Sequence, residues 1–249
     1  MRRRKRLIRE GEMIMAKIAI DAGHGLKTPG KRCLKSLDKN ETREWVLNDR
    51  VADALEKFLK SAGHETLRVD DVTGAKDIAL KERVKLANEW EADYYVAPHH
   101  NAGIHGGTGG GTVVIVLPGT TGITLEVQEA IYKHAIIEAD LKGNRYDGTS
   151  TSNLYVLRNT KMPASVVECG FMDSATDIIY ILDPKWSEKI ALGIAKGICE
   201  VYGGEVKMED ELIYITRTNA FKNRENAERE ISKLKAAGFS NAYIEVKKA

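Results

Sequence analysis

Four residues of this chain have the types and placement that a hydrolytic centre needs. His24 sits in Asp21-Ala22-Gly23-His24-Gly25, His99 follows an apolar run, Glu168 lies near the end of another, and Glu44 opens a helical stripe. With Leu47 set at zero and about 100° per residue, Val51, Ala54, Leu55 and Phe58 cluster within about a third of the circle, and Glu44 falls inside that cluster. A carboxylate on a buried stripe is costly unless it is paired or holds a metal, and a helix N-terminus offers it partial help from the dipole. Two imidazoles and one carboxylate form a catalytic zinc set with one position left open for water. Such an ion lowers the pKa of its water to about 7 and polarises a scissile carbonyl. A second carboxylate outside the ligand set must then act as general base and as proton donor to the leaving amine. Glu168 is the candidate for that role. Two rivals stay open: Glu41, at about 120° on the flank of the stripe, and His100, which adjoins His99 as a competing ligand.

The elements that must position these groups alternate along the chain. Strand-like runs are predicted at 17–21, 66–69, 93–97, 112–117, 154–157 and 165–169, and helices at 44–62, 78–90, 124–139 and 186–202. Strands alternating with helices imply an α/β fold: a mixed, largely parallel sheet flanked by helices on both faces. Ligands of such sheets bind at the carboxyl ends of the strands, where His24, His99 and Glu168 are expected. The glycine-rich segment 103–111 lacks the Gly-Lys-Ser/Thr ending of a phosphate loop and precedes a strand rather than a helix, so it is read as a rim of the groove or a connector. Cys169 is expected to point away from Glu168, into the core.

Residues 204–211 read as a charged linker. Beyond them lies a small C-terminal βαβ segment, with strands predicted at 212–216 and 242–246 around a helix at 224–237 whose Ala227, Ile231 and Leu234 face inward. A piece this short needs a partner to complete a core. The basic residues 1–14 are expected to be a disordered leader, with a natural start at Met13 or Met15. Over the 249 residues the net charge is only +2, which argues against a nucleic-acid partner. No run approaches the roughly 18 apolar residues of an integral membrane span, and no apolar stretch of a signal peptide follows the basic start. Cys33, Cys169 and Cys199 are odd in number and far apart, so free thiols made in a reducing cytoplasm are expected.

Read in order, Asp21-Ala22-Gly23-His24-Gly25, Glu44-Trp45-Val46-Leu47-Asn48, Ala97-Pro98-His99-His100-Asn101-Ala102, and Asn153-Leu154-Tyr155-Val156-Leu157-Arg158 leading into Met162-Pro163-Ala164-Ser165-Val166-Val167-Glu168-Cys169-Gly170-Phe171 resemble the zinc-dependent N-acetylmuramoyl-L-alanine amidases of the Amidase_3 type. The resemblance spans residues 16–202. It implies one Zn2+ ion held by His24, Glu44 and His99, with Glu168 catalytic. It also implies hydrolysis of the amide between N-acetylmuramic acid and L-alanine in bacterial peptidoglycan. The family spacing of His, any residue, Asn, Ala favours His99 over His100, although Pro98 departs from the apolar residue usual before the metal histidine. Asn101, Asn153 and Arg158 are expected to bind substrate, the last two by holding peptide backbone or carboxylate groups. Solvated loop roles are the alternative for that pair.

The C-terminal residues Leu212-Ile213-Tyr214-Ile215-Thr216, Ala220-Phe221, Asn226-Ala227-Glu228 and Leu234-Lys235-Ala236-Ala237-Gly238-Phe239 resemble half of a SPOR-type peptidoglycan-binding repeat. Two copies pairing in a homodimer would complete it; a packing appendage is the bland alternative. The expected organisation is a leader at 1–14, a zinc amidase domain at 15–203, a linker at 204–211 and a SPOR-like segment at 212–249. The protein is expected to be made in the bacterial cytoplasm and to act at the cell wall after release, as a phage endolysin or a sporulation autolysin. Two other classes remain: a zinc peptidase cutting within the stem peptide, since a metal site alone does not choose between amides, and a non-catalytic peptidoglycan-binding protein.

Overall fold

The computed structural model describes residues 16–144, 146–208, 223–240 and 243 of the chain. In chain order the elements are β1 (Lys17–Ile20), α1 (Glu44–Ser61), β2 (Glu65–Arg68), α2 (Leu80–Glu89), β3 (Tyr94–Asn101), β4 (Val113–Val116), α3 (Ile123–Ala139), β5 (Thr149–Thr151), α4 (Tyr155–Asn159), β6 (Ala164–Phe171), α5 (Ile178–Ile181), α6 (Pro184–Tyr202) and α7 (Arg224–Ala236). The chain divides into two compact units, Met1–Met208 and Glu209–Ala249.

The first unit holds one six-stranded sheet in the order β2-β1-β3-β6-β4-β5. Strands β2, β1, β3 and β6 are mutually parallel, β4 runs antiparallel to β6, and β5 is parallel to β4. The expected α/β architecture with a mixed, mostly parallel sheet is therefore the observed one. Alternation along the strands divides the core. Ile18, Ile20, Val96, Val167 and Cys169 pack with Leu47, Val51 and Leu55 of α1, Ile131 of α3 and Ile194 of α6. Ala19, Tyr95, Ala97 and Val166 face the other way, against Val84 and Ala87 of α2 and Val156 and Leu157 of α4. On the first face α3 and α6 approach closely because Gly193 carries no side chain: a Cβ there would lie 2.6 Å from the Ala135 Cα.

Three local expectations change. Residues 154–157, expected as a strand, lead into the short helix α4, because Val156 and Leu157 are both buried in the α2-side core. A four-residue apolar run has no periodicity to distinguish helix from strand. Strand β5 pairs with β4 through Thr149, Ser150 and Thr151, a polar run with no strand-like apolar pattern. Strand β3 runs to Asn101 rather than ending at 97, since pairing with β6 continues through His99↔Glu168 and, after a register shift, Asn101↔Phe171.

In the second unit, α7 falls where the helix was expected. Asn223 caps it by accepting from Glu225 N at 2.8 Å. Arg224 and Glu228 pair one turn apart. Ala227, Ile231 and Leu234 are half-buried while most of the helix is exposed. The strands expected at 212–216 and 242–246 lie mainly outside the described residues, as does the leader 1–14.

Candidate metal centre

The carboxyl ends of β1, β3 and β6, with the first turn of α1, bring four separated segments together. After β1 the chain turns through Ala22, Gly23 and His24, and His24 takes the left-handed conformation at φ 69°. The turn is tied down along its length. Asp70 Oδ1 accepts from Ala22 N at 3.2 Å, Pro98 O accepts from Gly23 N at 3.3 Å, and Asn48 Nδ2 donates to Gly23 O at 3.0 Å. Gly23 is required by close approach, because a Cβ there would fall inside the His99 imidazole.

Glu44 is the first residue of α1 and is only 1% exposed. Its Oε1 lies 3.2 Å from His24 Nε2 and 3.0 Å from His99 Nδ1. The two imidazoles meet edge to face, with centroids 4.9 Å apart and planes at 86°. One ligand atom from each of the three residues lies within 4.8 Å of the others. His24 Nε2 and Glu44 Oε2 are buried without a hydrogen-bond partner, which unpaired polar atoms tolerate poorly. Two nitrogens and one oxygen around a common point fit a divalent metal ion. Burial opposes the charge on Glu44, yet the close approach of the His24 and His99 imidazoles holds its carboxyl well below the usual carboxylate range. The three groups can thus hold a metal ion.

Glu168 is the register partner of His99 on the adjacent parallel strand, so both side chains leave the same face. Its Oε2 is buried without a hydrogen bond. Burial pushes its carboxyl up to about 7, with His99 opposing and the charge on Glu44 reinforcing the rise. Glu44, His99 and Glu168 share a cleft of about 380 Å³ with Pro29, Lys31, Asn101 and Met172. Lys31 Nζ stands 3.6 Å from Glu44 Oε2.

Of the residues read from the sequence, His24, Glu44 and His99 converge, Glu168 stands beside them and Asn101 lines the cleft. Asn153 and Arg158 do not line it. They bond to each other, Arg158 Nη1 donating to Asn153 Oδ1 at 2.6 Å, beside α4, where Asn159 O accepts from Asn88 near the end of α2. Glu41 turns instead to Arg32 and Lys35, at 3.3 and 3.7 Å. His100 points to the α1 side of β3, its Nδ1 2.8 Å from Asn48 Oδ1, and burial pushes its imidazole down to about 3. Cys169 is fully buried on the opposite face from Glu168. Cys33, Cys169 and Cys199 form no disulfide.

Other residues of the site were given no role from the sequence. Asn48 lies one helical turn after Glu44 on the same stripe and is fully buried; a buried amide at that spacing was a signal that could have been used. The glycine-rich segment is pinned by Asp173, whose Oδ2 accepts from Gly103, Ile104 and His105 N at 2.8, 2.9 and 2.8 Å. Only tertiary proximity reveals this nest of backbone donors.

Comparison with known proteins agrees with the geometry. The profile of the N-acetylmuramoyl-L-alanine amidase family, Amidase_3, matches residues 18–200. A sporulation-specific N-acetylmuramoyl-L-alanine amidase of Bacillus subtilis (strain 168) is 30% identical over 230 residues, covering 92% of this chain and 85% of that protein. An endolysin of Bacillus phage SPP1 is 27% identical over 184 residues, covering 73% of this chain and 64% of that protein. Among solved structures, the catalytic domain of the amidase CwlV from Bacillus (Paenibacillus) polymyxa var. colistinus superposes with a TM-score of 0.67 at 26% identity, covering 77% of this chain and all of that one. With His24, Glu44, His99 and Glu168 gathered at the carboxyl ends of β1, β3 and β6 and the match running through nearly the whole first unit, the chain belongs to the Amidase_3 family of N-acetylmuramoyl-L-alanine amidases, hydrolases of peptidoglycan.

Proposed function

We propose that this chain hydrolyses the amide bond between N-acetylmuramic acid and L-alanine with one Zn2+ held by His24, Glu44 and His99, and with Glu168 as general base and acid. The observation that carries the reading is the convergence of those three ligand atoms within 4.8 Å beside Glu168. A zinc ion bound there supplies an acidified water and a polarised carbonyl. Glu168 then takes the proton from the attacking water and returns it to the leaving alanine nitrogen, so that the enzyme ends the cycle unchanged. Burial raises this carboxyl above the ordinary carboxylate range, the direction that lets it hold the proton between the two halves of the transfer. Asn101, in the cleft lining, supplies a polar group to the peptide.

The test is mass spectrometry of fragments released from purified peptidoglycan, with and without a chelator. Glycan strands with intact lactyl groups and free peptides beginning with L-alanine are expected, abolished by chelation and restored by zinc. Shortened peptides still joined to muramic acid would overturn the amidase assignment in favour of a peptidase.

The second unit is assigned to wall binding as a SPOR-like half-repeat at 212–249 that pairs with its copy in a homodimer, joined through a linker at 204–211 to a catalytic domain at 15–203. Supporting this are the motif resemblance and the half-buried stripe Ala227, Ile231 and Leu234 on an otherwise exposed α7. Sedimentation of the full chain and pull-down on purified walls, with and without residues 212–249, test it. Synthesis in the bacterial cytoplasm with action at the wall after release fits the three free buried cysteines and the similarity to an endolysin and a sporulation-specific amidase. Fractionation of producing cells before and after lysis tests that assignment.

A further inference from the structure

The backbone around Gly23 is held by one buried guanidinium that no sequence motif singled out. Arg83 lies near the start of α2 and is 1% exposed. Its Nη1 donates to Ala22 O at 2.8 Å and its Nη2 to His24 O at 2.9 Å. The same two nitrogens bind Asp21 Oδ1 and, at 3.0 Å, Asp77 Oδ1, while Nε donates to Ile78 O at 2.7 Å. Five donors thus meet five acceptors, the full capacity of the side chain. Asp21 also accepts from the buried Tyr95 hydroxyl, so the ion pair sits in a closed network rather than stranded in the core. The two carbonyls that Arg83 grips flank Gly23, and the second belongs to His24, whose left-handed φ persists only where surrounding groups over-determine it.

We propose that Arg83 is a positioning residue of the metal centre: its guanidinium fixes the carbonyls on both sides of Gly23 and so holds His24 in the backbone conformation from which Nε2 faces Glu44. The inference rests on the reading that His24, Glu44 and His99 bind a divalent cation. Lysine at this position keeps the charge but lacks the planar fork that reaches both carbonyls and two carboxylates together.

Calorimetric titration of the metal-free full chain with zinc tests this directly, using Arg83→Lys, Asp77→Asn and the control Ile194→Ala. Ile194 is buried on α6, across the sheet from Arg83. Arg83→Lys is expected to weaken zinc binding about ten- to a hundred-fold, the range for outer partners of a metal ligand. Asp77→Asn, at a half-exposed partner of Nη2, is expected to shift affinity less but in the same direction. Ile194→Ala should lower the unfolding midpoint in urea and leave zinc affinity at the parent value, separating positioning from general loss of stability. Parent-like zinc affinity in folded Arg83→Lys overturns the proposal, as does a weakening no larger than the control's. If Arg83→Lys does not fold, parent-like affinity in Asp77→Asn overturns it instead. A parent chain that binds no zinc refutes the metal reading itself and is recognised before any variant is compared.

Discussion

Glu44 Oε1 and His99 Nδ1 stand 3.0 Å apart although 55 residues separate them in the chain. The contact joins the first turn of α1 to the end of β3 and places a fully buried carboxylate between two imidazoles. Glu44→Gln keeps the shape but removes the charge that a cation needs. Its zinc affinity is expected to fall by more than the roughly hundred-fold upper range for outer partners. In the parent, zinc at a hundred times its Kd should stabilise the fold by about 2.7 kcal/mol. Thermal melts with and without zinc check both statements; an equal zinc-induced shift in parent and variant would remove Glu44 from the ligand set.

Glu168 faces the same cleft but stands outside the three-residue cluster. Glu168→Gln is therefore expected to bind zinc and purified walls like the parent while kcat falls about 10²- to 10⁴-fold, the usual contribution of a positioned acid-base group. Release of free stem peptides measures the rate and zinc calorimetry the binding. Hydrolysis at the parent rate would transfer the proton work to another residue.

Gly23 has no space for a side chain, because the His99 ring occupies the position of its Cβ. Gly23→Ala must displace that ring or the turn. A loss of about 1–3 kcal/mol in unfolding free energy is expected, as for overpacking elsewhere, together with weakened zinc binding. Urea denaturation and calorimetry on the same preparation measure the two effects; a variant unchanged in both would show that the turn yields without cost.

His64 gives a pH dependence away from the cleft. It is buried, its Nδ1 accepts from Ala16 N at 3.3 Å, and its Nε2 lies 3.5 Å from Cys199 Sγ. Burial holds its pKa below the ordinary 6.5, so the unfolded chain binds this proton more readily than the folded one. Its contribution is then fully present above about 6.5 and is lost as pH falls below that value toward the depressed folded pKa, with a slope of at most about 1.4 kcal/mol per pH unit. Urea unfolding between pH 5 and 7.5 should show a shallower slope for His64→Gln than for the parent; identical slopes would mean that His64 does not titrate differently on folding.

Much of the site was legible because the decisive signals were local. Glu44 announced itself as a charge on an apolar stripe, and its burial follows from the packing of Leu47, Val51 and Leu55 on the same helix face. Each histidine and Glu168 stood at the end of an apolar run, and parallel pairing of β1, β3 and β6 gathers those ends on one edge. The short pieces misled for an equally physical reason. Residues 154–157 offered no period, so whether Val156 and Leu157 formed strand or helix depended on the core they entered.

By itself, then, the sequence determined the alternation of elements, the candidate ligand types and the family motifs, since all of these are written in residue type and short-range spacing. Tertiary structure alone decided the rest. The two adjacent histidines turn to different partners, His99 to Glu44 and His100 to Asn48, because β3 continues past 97 through both of them and successive side chains of a strand leave opposite faces. Arg83 reaches the His24 turn across the end of the sheet, and Asn153 with Arg158 falls outside the cleft. Such relations join residues many tens of positions apart, and only the folded backbone fixes which side chains share a space.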